Sequence, residues 1–94
     1  MFKVFYHESV VHDDIPKISK VWRDKIRQVI ERKLMTGPDV YGKPLRRSLK
    51  GYRKLRVGDY RIIFRIDGIT IKIFAIQHRS VVYSAVEKRV MNNH

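Results

Sequence analysis

Basic side chains recur through the second half of this chain at spacings suited to phosphate chemistry. Lys54, Arg56, Arg61, Arg65 and Arg79 fall at same-parity positions within strand-like runs, and Tyr83 follows Arg79 closely. Arginine presents a planar fork of N–H donors that matches phosphate oxygens, and lysine adds a compact charge. Other chemistries are poorly served. His7, His12, His78 and His94 are not spaced as a metal-ligand set, and no Gly-rich phosphate loop opens a helix. Ser9, Ser19, Ser48, Ser80 and Ser84 lack a nucleophile elbow. The absence of cysteine rules out thiolate zinc and disulfides, and no cofactor is expected. His78, beside Arg79, reads either as a general base or as a packed strand histidine.

The elements that must position these groups follow from periodicity. Residues 52–57, 60–66 and 69–77 are strand-like runs separated by Gly58-Asp59 and Asp67-Gly68, two-residue spacers that predict an antiparallel meander. Residues 2–6 read as a first strand, and 9–15 as a short helix broken near Pro16, which can open the next helix. Ile18, Trp22, Ile26, Val29, Ile30 and Leu34 recur at helical steps, opposite Lys20, Arg23, Arg27 and Glu31. This helix is expected to stop at Thr36-Gly37-Pro38-Asp39. Residues 84–91 predict a final helix with Ser84 as N-cap and Glu87 completing a capping box. The expected architecture is α+β, ordered β-α-α-β-β-β-α, a single domain over 1–94 whose antiparallel meander sheet packs against two N-terminal helices.

Strand parity sorts the charges. Tyr60, Ile62, Phe64 and Ile66 share the face expected under the helices, leaving Arg61, Ile63, Arg65 and Asp67 opposite. Lys54 and Arg56 oppose Arg53, Leu55 and Val57. In the last run, Ile73, Ala75, Gln77 and Arg79 oppose Phe74, Ile76 and His78. The prediction is a cationic free face holding Lys54, Arg56, Arg61, Arg65 and Arg79, with Tyr83 just beyond it. The last run is apolar on both faces, which predicts a central place in the sheet. Tyr41 and Tyr52 are expected as packing groups and Trp22 as core.

With 94 residues the chain has the size of one domain and is too short for a multidomain enzyme. A net charge of +12 points to a polyanionic partner. Residues 1–43 contribute +3 and 44–94 contribute +9, which puts the polyanion on the second half. No apolar run approaches the roughly 20 residues of a membrane span, and the first seven residues lack a signal peptide's apolar core, so no membrane partner and a cytoplasmic location are expected.

At Gly42-Lys43-Pro44-Leu45, at Leu49-Lys50-Gly51-Tyr52-Arg53-Lys54-Leu55-Arg56-Val57-Gly58-Asp59-Tyr60-Arg61-Ile62-Ile63-Phe64, and at His78-Arg79 through Val82-Tyr83, the chain resembles the RelE/ParE superfamily of bacterial and archaeal toxins. The resemblance extends over the whole length in element order and is most specific in the central segment. It implies a RelE-like small domain and, for the RelE branch, endoribonuclease cleavage of mRNA in the ribosomal decoding site, which inhibits translation. Lys54, Arg61, Arg79 and Tyr83 match that branch's catalytic positions. Arg56, Arg65, Lys50, Arg53 and Arg47 are the expected RNA-binding residues around them.

The implied reaction is attack by a ribose 2′-hydroxyl on its adjacent phosphate without a metal ion, leaving a 2′,3′-cyclic phosphate and a free 5′-hydroxyl. The reaction requires a proton acceptor, charge stabilisation and a proton for the leaving oxygen. Lys54 or Tyr83 is assigned as base, Arg61 as phosphate stabiliser, and Arg79 as stabiliser or leaving-group donor; Tyr83 alternatively stacks on a nucleobase. The resemblance also implies a cognate antitoxin, often acidic in its binding segment, and a toxin–antitoxin complex acting at operator DNA. Rival readings are a ParE-like inhibitor of DNA gyrase without nuclease activity, and a degenerate toxin that only binds antitoxin or nucleic acid.

Overall fold

The computed structural model describes residues 2–92, so His94, weighed above as a metal ligand, lies outside the described residues. In chain order the elements are β1 (Lys3–Tyr6), a π-helical turn (Val10–Asp14), a 3-10 turn (Ile15–Lys17), and α1 (Lys20–Val29), continued by a second π-helical turn (Ile30–Leu34). There follow α2 (Pro38–Tyr41), β2 (Lys43–Pro44), a 3-10 turn (Arg47–Leu49), β3 (Arg53–Val57), β4 (Tyr60–Asp67), β5 (Thr70–His78) and α3 (Val82–Asn92). The strands form one sheet in the order β1-β5-β4-β3-β2. The meander is as the spacers predict, with Gly58 and Gly68 at φ of 59° and 61° in the two hairpin turns. β1 lies parallel to β5, Lys3 opposite Thr70 and Tyr6 opposite Ile73, a pairing that no local pattern predicts. β5 is interior, as two apolar faces require.

The α1 stripe packs as read. Ile18, Ile26, Ile30 and Leu34 are buried against Leu55, Val57, Ile62, Phe64, Ile71, Ile73 and Ile76, with Trp22 and Val29 at the margin. Each fully buried aliphatic side chain here contributes about 1.5–3 kcal/mol. Pro16 does not open this helix. It sits in the 3-10 turn, Ile18 then extends the chain, and Ser19 caps α1 by accepting the Trp22 N–H at 3.4 Å.

Three expectations are corrected on the opposite face of the sheet. That face is not free, because Val82 and Val86 of α3 bury Ile63 and Ala75 beside Leu49 and Tyr52, forming a second core. Nor does the last helix start at a Ser84 cap. It starts at Val82, since Val82 and Val86 are one turn apart and both need cover, and the Glu87 carboxylate accepts the Ser48 hydroxyl at 3.0 Å instead of completing a capping box. Finally, strict alternation fails in β5. Phe64 faces Ile73 while Ile63 faces Ala75, so Phe74 is an extra, bulged residue. Ile73 therefore joins the α1 side, and Phe74 the α3 side, where it meets Tyr52 edge-on at 5.1 Å and stacks with His7 at 5.6 Å.

A buried ion pair joins the two ends of the chain across the edge of β5. The Asp14 carboxylate accepts both arms of the Arg89 guanidinium at 2.7 and 2.8 Å, the Ile76 N–H at 2.9 Å and the Gln77 amide at 2.8 Å. Arg89 also donates to the Phe74 carbonyl at 2.8 Å. The hydrogen bonds to Asp14 hold the Arg89 guanidinium above its already high ordinary pKa.

Candidate active site

β3, β4 and β5 present Lys54, Arg56, Arg61 and Gln77 on one face, at the end of the sheet that α3 leaves open. Register puts Arg56 opposite Arg61, Arg61 opposite Gln77, and Lys54 opposite Ile63. With strands about 4.8 Å apart and same-face residues about 7 Å apart along a strand, these side chains spring from a patch the size of one nucleotide step. α3 brings Tyr83, half-buried, to this patch: the Lys54 ammonium lies 5.8 Å from its ring centre. Its position is fixed by Val82, which is fully buried in the second core.

Arg61 is held rather than neutralised. Its guanidinium donates to the carbonyls of Gly58 at 3.0 Å and Tyr60 at 2.9 Å. Arg79 anchors to the same hairpin through its N–H to the Asp59 carbonyl at 2.8 Å, and its guanidinium stands 3.8 Å from the Asp59 carboxylate, both side chains mostly exposed. Such a solvent-exposed pair is worth at most about 1 kcal/mol and yields readily to a stronger anion. Lys54, Arg56 and Arg61 have no acidic partner among the described residues. Like charges directly opposite on neighbouring strands are destabilising. The Arg56–Arg61 pairing is therefore a cost in the free protein that a bound anion removes.

The four expected catalytic residues thus lie at one end of the sheet, Lys54 with Tyr83 and Arg61 with Arg79. Arg56 joins them. Arg53 does not: it is on the α1 face and donates to the Gly42 carbonyl at 2.9 Å and that of Asp39 at 3.4 Å, tying down α2. Arg65 shares the open face's parity but lies over the Tyr52 and Phe74 rings, 5.8 Å from each, as part of the second core's wall. Arg47 and Lys50 are exposed on the loop before β3, which buried Leu49 pins; Arg47 has φ 59°, an uncommon conformation for a non-glycine residue. Asp67, the one acid predicted on the cationic face, pairs with Lys72 at 3.1 Å, and that hydrogen bond lowers its pKa.

His78 faces the α1 side beside Tyr60, and its Nδ1 accepts the Ser80 N–H at 3.2 Å while lying 2.8 Å from the Ser80 hydroxyl. Gln77 was missed as a site residue, although parity already grouped it with Arg79. The larger concavity, about 420 Å3 between α1 and the Ile15–Ile18 segment, is floored by Ile18, Ile26 and Ile30 and is remote from Lys54 and Tyr83. No group of three His, Cys, Asp or Glu that could hold a metal occurs among the described residues, and no helix among them is long and apolar enough to cross a membrane.

A five-stranded sheet with a cationic end face, two helices on one side and one on the other is the α+β fold of RelE-like toxins. Residues 6–83 match the family described as ParE toxin of type II toxin–antitoxin system, parDE, and the chain belongs to that family, within the RelE/ParE superfamily. It is 46% identical over 44 residues to Toxin RelG of Mycobacterium tuberculosis, covering 45% of this chain and 51% of that one. Toxin RelE of the same organism is 40% identical over 52 residues, covering 53% and 54%. The matched stretch is thus about half the length of these two relatives. Among solved structures, the toxin–antitoxin complex RelBE2 from Mycobacterium tuberculosis contains a similar chain, 30% identical with a TM-score of 0.77, covering 83% of this chain and 98% of that one.

Proposed function

We propose that this member of the family is a ribosome-dependent endoribonuclease that cuts mRNA by attack of a ribose 2′-hydroxyl on the adjacent phosphate. The observation that carries this reading is the cluster of Lys54, Arg56 and Arg61, without acidic partners among the described residues, beside Tyr83. A patch built only for phosphate contacts has no need of a tyrosine held against a lysine, whereas cleavage can use one as the base or to stack a nucleobase in place. In the reaction, Arg56 and Arg61 take the non-bridging phosphate oxygens, whose charge grows in the transition state. Lys54 acting as its free amine, or Tyr83 acting as its phenolate, accepts the 2′-hydroxyl proton as the new O2′–P bond forms. The P–O5′ bond breaks, Arg79 neutralises the leaving oxygen, and the proton taken by the base passes through solvent to that oxygen, leaving a 5′-hydroxyl and a 2′,3′-cyclic phosphate. Lys50 and Arg47 on the exposed loop extend the RNA path.

The partner in this reading is a cognate antitoxin with an acidic binding segment. Its support is the +12 charge and the likeness to a chain crystallised in a toxin–antitoxin complex. The complex would act at operator DNA, the free toxin at the ribosomal decoding site in the cytoplasm. The match to the ParE family favours a second reading, gyrase inhibition without cleavage. Primer extension on a defined mRNA, with and without translating ribosomes, decides between them. We expect ribosome-dependent cuts that fall about 100-fold or more in Arg61→Ala and in Arg79→Ala, with thermal unfolding little changed. No cuts by a folded protein, together with inhibited DNA supercoiling, would establish the gyrase reading instead.

A further inference from the structure

We propose that the hollow bounded by the Ile15–Lys17 turn, the end of β5 and the start of α3 is a nucleobase subsite, with adenine its best ligand. It has a volume of about 240 Å3, and its walls include Lys17, Ile18, Tyr60, Gln77, His78 and Val81. That is below the size of a cofactor pocket and suits one heterocycle. Arg79 lies between His78 and Val81 in the chain, so a nucleotide whose phosphate meets Arg79 has its base within reach of the hollow. The inference thus deepens the ribonuclease reading by assigning the recognition of a base beside the cut.

The polar edge is preset. Asp14 is acceptor-only, so the Gln77 atom 2.8 Å from it is the amide nitrogen, and this fixes which way the amide points. Asp14 is itself immobilised by both arms of Arg89 and by the Ile76 N–H. Gln77 is left with its carbonyl oxygen and a second N–H, the acceptor–donor couple that glutamine presents to the N6 and N7 of adenine. The flat walls are aromatic. Tyr60 and His78 meet edge-on at 6.4 Å, and Ser80 holds the His78 ring through Nδ1, so a base has one aromatic face to stack on and a second ring at right angles to abut. Lys17, exposed and unpaired among the described residues, supplies a cation at the rim for the attached phosphate.

The test is a nuclear magnetic resonance titration of the wild-type protein with adenosine 5′-monophosphate, uridine 5′-monophosphate and ribose 5-phosphate. The adenine nucleotide is expected to shift the Gln77 side-chain amide and the backbone amides of His78 and Val81, binding at least threefold tighter than the uridine nucleotide. Ribose 5-phosphate is expected to leave the Gln77 amide unmoved. Gln77→Leu, checked for a native spectrum, is expected to erase the base preference, and Lys17→Ala to weaken both nucleotides equally. Unmoved Gln77 resonances, or equal shifts with ribose 5-phosphate, overturn the subsite; equal affinity for the two nucleotides overturns its adenine selectivity. None of these readouts requires cleavage, so loss of the ribonuclease reading through an active Arg61→Ala variant would be a separate result.

Discussion

Replacing Asp14 by Ala is predicted to be among the most damaging single changes to stability. Its side chain is 1% exposed and its partner Arg89 13%, so little water is available to replace either. The substitution removes the acceptor for both Arg89 arms, the Ile76 N–H and the Gln77 amide. Removing one partner of a buried ion pair typically costs about 3–5 kcal/mol. Hydrogen bonds to a charged group are worth about 1.5–3 kcal/mol each, but these share one carboxylate and do not add, so we expect about 4 kcal/mol in total. For a domain of this size each kcal/mol shifts the melting temperature by about 4–8 °C, giving a fall of about 15–30 °C. Arg89→Ala should cost less, about 2–3 kcal/mol, since Asp14 keeps the Ile76 and Gln77 donors. Urea unfolding of the two single variants and the double variant measures this directly, with an expected coupling of about 2 kcal/mol. A cost below about 1 kcal/mol for Asp14→Ala would refute the claim that the clasp holds α3 to the rest of the fold.

Gly58 and Gly68 form a matched pair, both at φ near 60°, but a Cβ on Gly58 would come within 2.4 Å of the Trp22 ring whereas one on Gly68 meets nothing within 4 Å. Alanine at Gly68 should cost only the left-handed strain, about 1–2 kcal/mol, and alanine at Gly58 about 1–3 kcal/mol more, as read by chemical denaturation. Occupation of the Arg56–Arg61 pair by anions should add to the general stabilising effect of sulfate over chloride at equal ionic strength, and Arg61→Ala should shrink the difference in melting temperature to that general effect. Burial, reinforced by Glu31, raises the pKa of Tyr6 above its ordinary value, so the folded state favours the neutral phenol. Its contribution is therefore complete below about pH 10 and lost as pH rises through the folded value. An alkaline unfolding series should show Tyr6→Phe losing less stability than wild type above that point.

Much of this structure is legible in the sequence because two periodicities are clean. The Ile18-to-Leu34 stripe and the glycine-containing spacers determine α1 and the meander, and parity alone brings Lys54, Arg56 and Arg61 to one face. What escapes a local reading is set by partners distant in sequence. Nothing near Lys3 announces that β1 will lie parallel to β5, and the two-residue β2 is too short to carry a pattern. The bulge at Phe74 arises because Ile63 and Ala75 need α3 while Ile73 needs α1, a conflict between two cores that strict alternation cannot express. Parity already sets Arg53 on the face opposite Lys54 and Arg56, but Arg65 shares the parity of Arg61, and only the Tyr52 and Phe74 rings it meets set it apart.

The parallel pairing of β1 with β5 also bears on when the molecule becomes competent. Residues 3–6 are made well before their sheet neighbours, residues 70–73, and the Asp14 carboxylate waits for Arg89. Contacts of such separation form late, because the intervening chain must be ordered before they can close. During synthesis the amino-terminal strand and the α1 stripe emerge with nothing to cover them until β5 and α3 follow. Tyr83 takes its place beside Lys54 only with that final helix. A growing chain therefore lacks the complete cationic patch until α3 has been made, and assembly of the patch is coupled to completion of the sheet.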